Sequence, residues 1–263
     1  MFRSALRALT VFGVMAAAPA LAPALAAGDH TQGPAALPHA HFHFEGVFGT
    51  FDRASAQRGF QVYKEVCSAC HSMRLLSYRH LLELGLSEAE VRAIAATVTV
   101  NDGPNDEGQM FERPGRLSDR FRSPFPNEAA ARAANNGAAP PDLSVISKAR
   151  EEGPHYLHAL LTGYADPPAG MAMGDGMNYN RYFPGNQIAM SAPLREEGQV
   201  EYADGTKATV EQMALDVTNF LQWAAEPEME ARKRMGVKWV LFLTILGGLA
   251  YATKRKIWAN VPH

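Results

Sequence analysis

The spacing of apolar residues along the chain predicts a mainly α-helical protein. Asp52 is a suitable N-cap for a helix over residues 53–66. Ser87 and Glu90 form a capping box that opens a second helix, and a third, amphipathic helix is predicted over residues 209–225. The apolar residues that share one face of each helix are Phe60, Tyr63, Val66, Val91, Ile94, Ala95, Val98, Val210, Met213, Ala214, Val217, Phe220, Leu221 and Ala224. We expect these faces to pack into one core.

Glycine, proline and asparagine divide the rest of the chain into shorter elements. Gly137 and Gly163 have the positions expected for residues that end helices. Residues 101–127 are rich in Gly, Pro, Asp and Arg and predict a long loop, which we expect to be functional in a compact domain. The other predicted elements are short helices over residues 127–136, 143–150 and 154–162 and a small hairpin over residues 199–208 with Asp204-Gly205 as its turn.

Residues 235–253 form an almost wholly apolar run that is interrupted only by Lys238, near one end. A run of about 19 residues is long enough to cross the hydrocarbon of a bilayer as a helix. A buried core helix is the alternative, but basic residues flank both ends of the run. We therefore predict a transmembrane anchor over residues 232–256, followed by a short tail over residues 257–263.

The first 26 residues have the pattern of a secretory signal peptide. Arg3 and Arg7 precede an apolar run over residues 8–20, and Ala-Leu-Ala at residues 24–26 is a small-x-small cleavage site. A membrane anchor is the weaker interpretation, because prolines interrupt a run that is already too short to span. We predict that residues 27–231 form one exported domain and that the C-terminus stays inside.

The formal net charge of −2 conceals a strong asymmetry along the chain. All 27 acidic residues lie between Asp29 and Glu230, whereas nine of the 25 basic residues belong to the predicted signal peptide or to the predicted anchor over residues 232–256. The exported domain thus carries 16 basic against 27 acidic residues, a charge near −11. Such a charge excludes a nucleic-acid partner and favours a basic protein partner, with a solvated acidic surface as the alternative.

Cys67 and Cys70 are the only cysteines, and His71 follows them directly in a C-x-x-C-H motif. Two thiols at this spacing can bond covalently to the vinyl groups of a haem while the imidazole ligates its iron. A thioredoxin-like redox pair would need a βαβ context, and a zinc site would need four ligands. The sequence shows neither, so it predicts one covalently bound haem c.

The iron of such a haem needs a sixth ligand, unless that position is open to a substrate. Met190 ranks first among the candidates because it ends the proline-containing apolar loop of residues 182–190, far downstream of the haem motif. From the residues alone, Met171, Met173 and Met177 stay open as alternatives. The full set of candidates is His80, His155, His158, Met110, Met171, Met173, Met177 and Met190.

Several segments resemble the cytochrome c1 family, the haem c subunits of ubiquinol-cytochrome c oxidoreductase, or cytochrome bc1 complex. The resemblance runs from about Phe44 to the C-terminus. It is strongest with the mitochondrial-like alphaproteobacterial type, because the chain lacks the additional cysteine pair of some bacterial relatives, and no structural disulfide is expected. The segments that carry the resemblance are QRGFQVYKEVCSACHSMR, AARAANNGAAPPDLS, LLTGY, YFPGNQIAM, DGTKAT, FLQWAAEPE and ARKRMG.

The resemblance implies a class I cytochrome c-like haem domain with long loops and a C-terminal anchor helix. It also assigns roles to particular residues. They are Cys67 and Cys70 as the thioether attachments, His71 as the proximal ligand, Met190 as the distal ligand, Arg150 and Tyr156 as contacts to the haem propionates, and Pro140 and Pro141 as the lining of the pocket. A backbone carbonyl of that lining would orient His71 through its ring N–H.

The implied function is electron relay from the Rieske iron-sulfur protein to a soluble, basic cytochrome c, with cytochrome b as a further partner. The implied location is the bacterial inner membrane, with the haem domain in the periplasm and the tail in the cytoplasm. The chain would be a redox carrier within an enzyme and not a catalyst alone. Two alternatives stay open: a membrane-tethered cytochrome that acts independently, and a haem enzyme whose sixth position binds substrate.

Overall fold

The computed structural model of the chain describes residues 35–261, so the predicted signal peptide over residues 1–26 lies outside the described residues. The prediction of a mainly helical fold is confirmed. The elements in chain order are α1 (Arg53–Glu65), α2 (Glu88–Ala96), β1 (Thr99–Asp102), β2 (Phe111–Pro114), α3 (Glu128–Ala134), α4 (Gly153–Thr162), β3 (Asn178–Tyr179), β4 (Gln187–Ile188), α5 (Val210–Ala225) and α6 (Met229–Ile257), with 3₁₀ helices at Cys67–Ala69, Tyr78–Leu84 and Pro184–Asn186.

The core is built on the pairing of α1 with α5. The Asp52 side chain caps α1 as predicted by accepting a 3.1 Å hydrogen bond from the Ser55 amide. Phe60 and Phe220 face each other across the two helices, with ring centroids 5.6 Å apart. The helices approach so closely at Gly59 that a Cβ atom there would lie 2.0 Å from a backbone oxygen of α5. A residue larger than glycine would therefore push α5 away from α1.

A buried carboxylate locks the same two helices together. Asp216 of α5 is fully buried and accepts hydrogen bonds from Ser55 Oγ at 2.7 Å and from Arg58 Nε at 2.9 Å. Gln212 Nε2, one turn earlier in α5, donates a further bond at 3.0 Å. A buried charge is tolerated only when it is paired and hydrogen-bonded in this way. The network fixes α1, whose C-terminal end leads directly into Cys67.

The predicted helices near α2, α3 and α4 are confirmed, but the helix predicted over residues 143–150 is wrong. Residues 144–148 form consecutive turns instead, with i to i+3 bonds such as Ile146 N to Leu143 O at 3.3 Å. A helix of eight residues is marginal on its own and depends on contacts with the rest of the protein. In this segment those contacts stabilise turns and not a helix. The buried Ser144 accepts a hydrogen bond from the Leu75 amide at 3.0 Å, and its own amide donates to Asp142 Oδ1 at 2.9 Å.

The hairpin predicted over residues 199–208 is also wrong, since the described chain has no strands there. Val200 and Tyr202 are buried and Glu201 between them is exposed, which is the alternation typical of a strand. The segment is instead bonded to side chains of α1. Gln61 Nε2 donates to the Glu201 carbonyl at 2.9 Å, and Arg58 pairs with Asp204 at 2.8 Å. Residues 101–127, predicted as one long loop, include β2 and the last two residues of β1, which pair antiparallel. In a second antiparallel pair, β3 lies beside β4.

The predicted C-terminal apolar helix is confirmed as α6, which starts earlier than the apolar run itself. Within the described chain, α6 is the one helix long and apolar enough to cross a membrane. Its first residue, Met229, is buried in the core, and Glu230 forms a two-pronged ion pair with Arg53 at 2.9 and 3.0 Å. The helix is thus anchored to the domain by its first turn, and the apolar residues beyond it are exposed.

Candidate haem site

The C-x-x-C-H motif lies on a tight turn at the end of α1. The Cys67 carbonyl accepts hydrogen bonds from the amides of Cys70 at 3.1 Å and His71 at 2.9 Å. Both cysteines are free thiols, of which Cys70 is exposed. Burial, with a smaller contribution from the neighbouring Cys70, raises the pKa of Cys67 to about 12, so this thiol is protonated at neutral pH. The turn therefore presents two reduced thiols and one imidazole within five residues.

The orientation of the His71 ring is fixed by a residue 70 positions away in the sequence. The Pro141 carbonyl oxygen lies 2.8 Å from His71 Nδ1. A carbonyl oxygen can only accept, so Nδ1 carries the proton and Nε2 keeps its lone pair. Burial lowers the pKa of His71, while the Pro141 carbonyl and the Asp142 carboxylate oppose the shift. The ring is thus held as a neutral imidazole with Nε2 ready to bind a metal.

Asp142, which is not one of the predicted site residues, holds the segment after His71 against residues 141–144. Its Oδ2 accepts from Ser72 Oγ at 2.8 Å and from the Arg74 amide at 2.9 Å, and its Oδ1 accepts from the Ser144 amide at 2.9 Å. Burial alone would raise the pKa of Asp142, but these bonds outweigh it and hold the pKa at about 2. The signal in the sequence was an aspartate two residues before a serine, a pattern typical of an Asx turn.

The loop that carries Met190 is organised by a buried asparagine. Asn180 donates through Nδ2 to the Leu160 carbonyl at 2.8 Å and accepts at Oδ1 from the amides of Tyr182 and Phe183. Met190 itself is half-buried at the end of this loop. Tyr164, which follows α4, donates from its hydroxyl to the Met190 carbonyl at 3.1 Å. The backbone of Met190 is therefore bonded to the segment that follows α4, a contact that the sequence did not reveal.

Arg150 and Tyr156 lie together at the same end of α4. The Arg150 side chain is exposed and donates to the Ala149 carbonyl at 2.9 Å. Burial raises the pKa of Tyr156, and the nearby Arg150 charge opposes that shift. The pKa of Tyr164 is raised by burial and by its neighbour Tyr156. The structure thus places Tyr156 near both Arg150 and Tyr164, the tyrosine that bonds to the Met190 carbonyl.

The other candidate ligands have different surroundings. His80 accepts from the Ser77 amide at 3.1 Å and completes a helix cap. His155 Nε2 lies 2.7 Å from Glu45 Oε1, and His158 Nε2 lies 3.0 Å from a carboxylate oxygen of α5. The remaining candidates are Met110, exposed just before β2, and Met171, Met173 and Met177 between α4 and β3.

The donor atoms of the motif fit a haem c. Its two thiols are free, and its imidazole is neutral with an available Nε2. A zinc site fits less well, because residues 35–261 contain no group of three or more His, Cys, Asp or Glu side chains that could hold a metal ion.

Comparison with known proteins decides the family. The model of the Cytochrome C1 family matches residues 42–261. The chain belongs to the cytochrome c1 family. These proteins are haem-containing electron-transfer subunits of the cytochrome bc1 complex.

The relatives include both mitochondrial and bacterial proteins. "Cytochrome c1 1, heme protein, mitochondrial" of Arabidopsis thaliana is 49% identical over 97% of this chain and 83% of its own length. "Cytochrome c1" of Rhodospirillum rubrum is 44% identical over 90% of this chain and 93% of its own length. "Cytochrome b/c1" of Bradyrhizobium diazoefficiens is 51% identical over 85% of this chain, which corresponds to 36% of that longer protein. The bacterial relatives and α6 together indicate a membrane-anchored protein.

Proposed function

We propose that this chain binds one haem c covalently, and that Cys67 and Cys70 would hold its thioethers while His71 and Met190 would ligate its iron. In that form it relays electrons from the Rieske iron-sulfur protein to a soluble, basic cytochrome c. The observation that carries the proposal is the 2.8 Å bond between His71 Nδ1 and the Pro141 carbonyl, because it leaves Nε2 as the free donor beside two free thiols.

When bound, haem c supplies a one-electron ferric/ferrous couple, and His/Met ligation raises its potential. The protein residues position and tune this group. The Pro141 carbonyl fixes the plane of the His71 ring and increases its basicity as a ligand. Tyr164 holds the Met190 backbone through its carbonyl.

Arg150 and Tyr156 are proposed to bind the acidic propionate groups, since a guanidinium and a phenol are suitable donors to carboxylates. Pro140, half-buried, and Pro141, exposed, are proposed to line the pocket. Proline offers no backbone N–H, so this wall presents carbonyl and apolar surface, in keeping with the bond that Pro141 accepts from His71. No side chain has to act as a general acid, base or nucleophile, which suits a carrier of single electrons.

The arrangement in the membrane follows from the same proposal. Residues 1–26 direct export, residues 27–231 form the periplasmic haem domain, residues 232–256 form the anchor, and residues 257–263 form the cytoplasmic tail. Cytochrome b and the Rieske protein are then the partners within the bc1 complex of a bacterial inner membrane. The acidic surface of the exported domain attracts the soluble basic cytochrome c.

Purification of a tagged full-length chain from membranes tests this proposal. We expect a b-type cytochrome and a Rieske protein to co-purify, and one haem per chain that acidified organic solvent does not extract. A matched chain with Cys67→Ser and Cys70→Ser should lose the bound haem.

Two results would contradict different parts of the proposal. A haem-loaded chain that purifies without either partner would indicate a cytochrome that acts independently. Haem that acidified solvent extracts from the wild-type chain would show that Cys67 and Cys70 do not form thioethers.

A further inference from the structure

Two adjacent apolar residues protrude from the domain in the loop before α1. The Val47 side chain is 65% exposed and the Phe48 side chain is 84% exposed. Single exposed apolar residues are common on protein surfaces and carry no information by themselves. Here the two residues form the tip of a loop, residues 44–51, and its construction and position suggest what the tip contacts.

Glycines on both sides shape the tip. Gly46 has a φ of +71°, a conformation that favours glycine. A Cβ atom at Gly49 would lie 2.0 Å from the Glu45 carbonyl oxygen, so a larger residue cannot close the turn. The Thr50 amide donates to the His43 carbonyl at 3.1 Å and closes the loop at its base. The tip therefore has a defined shape.

A buried aromatic cluster supports the loop from below. Phe42, Phe44 and Phe51 are all buried. The rings of Phe42 and Phe44 are stacked with centroids 4.9 Å apart, and Phe44 lies 5.7 Å from Phe51. Because these rings fill the space under the loop, Val47 and Phe48 are held outside the core.

The loop is bonded to α6 just before the apolar run begins. Lys233 Nζ donates to the carbonyls of Phe44 at 2.6 Å and Gly49 at 3.2 Å. The Phe51 amide donates to the Glu230 carboxylate at 2.8 Å. Lys233 precedes Met235, the start of the apolar run, by two residues, a rise of about 3 Å along a helix. The tip is thus fixed near the level at which α6 would enter a bilayer.

We propose that the tip formed by Val47 and Phe48 inserts into the lipid interface next to α6, as a second membrane contact of the domain. An apolar side chain at this level gains by leaving water for the headgroup and acyl boundary. The exposed Arg234, one residue after Lys233, adds a cation that suits anionic headgroups. Lipid is the favoured occupant because the loop is bonded to the spanning helix itself.

Spin-label accessibility in lipid nanodiscs tests the proposal on the full-length, haem-loaded chain. The label is placed at Phe48→Cys, with Val47→Cys as an independent second site, in phosphatidylcholine discs with a minority of phosphatidylglycerol. Met110→Cys, 67% exposed on the β1–β2 hairpin, is the aqueous control. Leu243→Cys, 56% exposed within the apolar run, is the membrane control.

We expect labels at positions 47, 48 and 243 all to collide more with dioxygen than with a water-soluble nickel chelate. Equal access of the nickel chelate at positions 48 and 110 would overturn the proposal. The proposal would also be overturned if the nickel chelate reached the labels at positions 47 and 48 in discs but not in an assembled complex. That result would indicate a protein partner instead of lipid. Wild-type chain that takes up label would mean that Cys67 and Cys70 are not bonded to haem, a failure of the proposed function alone.

Discussion

His71 Nδ1 and the Pro141 carbonyl oxygen are 2.8 Å apart, although 70 residues separate them in the sequence. This bond joins the end of α1 to the turns before α4. It is reinforced by backbone pairing, since the Leu143 amide donates to the Ser72 carbonyl at 2.8 Å. The candidate iron ligand is thus positioned by a second segment of chain, which Asp142 holds in place.

Substitution Asp142→Ala should loosen this clamp. The amides of Arg74 and Ser144 and the hydroxyl of Ser72 would lose their acceptor, at a cost of roughly 2–4 kcal/mol in the free energy of unfolding. Denaturant unfolding of the haem-loaded domain measures this cost. Asp142→Asn is the matched control, because it keeps an acceptor oxygen and should lose less. Equal stability of wild type and Asp142→Ala would show that the clamp contributes nothing.

Electron transfer to a basic cytochrome c should slow steeply as ionic strength rises, because screening shortens to about 8 Å near physiological salt. Asp102, Asp106 and Glu107, in and next to the β1–β2 loop, are the candidates for the docking surface. Arg113 pairs with Asp102 and holds the pKa of that carboxyl below its usual value, whereas Asp106 and Glu107 are exposed. We expect Asp106→Asn with Glu107→Gln to lower the low-salt rate about two- to fivefold.

Asp102→Asn serves as the control in the same kinetic series, with a smaller expected effect, because Arg113 already offsets the charge of Asp102. A second-order rate that does not change with salt would remove the electrostatic docking hypothesis. A larger effect of Asp102→Asn than of the Asp106 and Glu107 substitutions would place the docking surface around Asp102 instead.

His158 should make the stability of the domain depend on pH. Burial lowers its pKa below the usual 6.5, while Glu211 opposes the shift. The unfolded chain then binds the proton more readily, so the stabilisation present above about pH 6.5 is lost as the pH falls towards the folded-state pKa. We expect a loss of up to about 1.4 kcal/mol per pH unit in that window.

Thermal unfolding of wild type and His158→Leu between neutral and mildly acidic pH checks the effect. The variant should lose less stability on acidification. Glu211→Gln should lose more, because the carboxylate that raises the pKa of His158 is gone. Identical pH profiles for wild type and His158→Leu would assign the dependence to other groups.

Removal of the apolar part of α6 should release a soluble, haem-loaded domain, because only the first turn of α6, with the buried Met229, packs on the domain. The bonds of Lys233 to the loop before α1 determine which truncation point is better. A chain that ends after Arg234 keeps both carbonyl bonds of Lys233, whereas one that ends after Glu230 loses them and should be about 1–2 kcal/mol less stable. Fractionation and haem content of both truncations test this. Failure of either chain to take up haem would mean that α6 is needed for folding.

Local signals in the sequence predicted the longer helices correctly. Asp52, Ser87 and Glu90 cap α1 and α2 as expected, because a cap depends only on residues a few positions away. Residues 143–150 and 199–208 were mispredicted because contacts from distant segments decide their structure. The Asp142 clamp and the Arg58 pair with Asp204 are examples of such contacts.

For the site, the C-x-x-C-H motif predicts haem chemistry from the sequence alone, because its spacing is local. The sequence could not reveal the partners of that motif that lie far along the chain. Asp142 accepts a hydrogen bond from the Arg74 amide, three residues after His71. Tyr164 donates one to the Met190 carbonyl. Their residue types alone do not distinguish them from other polar residues.

The central claim is that Met190 is the distal ligand of the iron. A thioether stabilises ferrous iron, so Met190→Lys should abolish the near-infrared sulfur-to-iron band and lower the potential markedly, while Cys67 and Cys70 keep the haem attached. A fall of only about 59 mV shifts a one-electron equilibrium tenfold. Matched substitutions at Met171, Met173 and Met177 should keep both band and potential. The decisive measurement is therefore the spectrum and redox titration of these four single variants. The predicted result is that Met190→Lys alone loses the near-infrared band and has a lower potential. Retention of both band and potential in that variant would contradict the assignment.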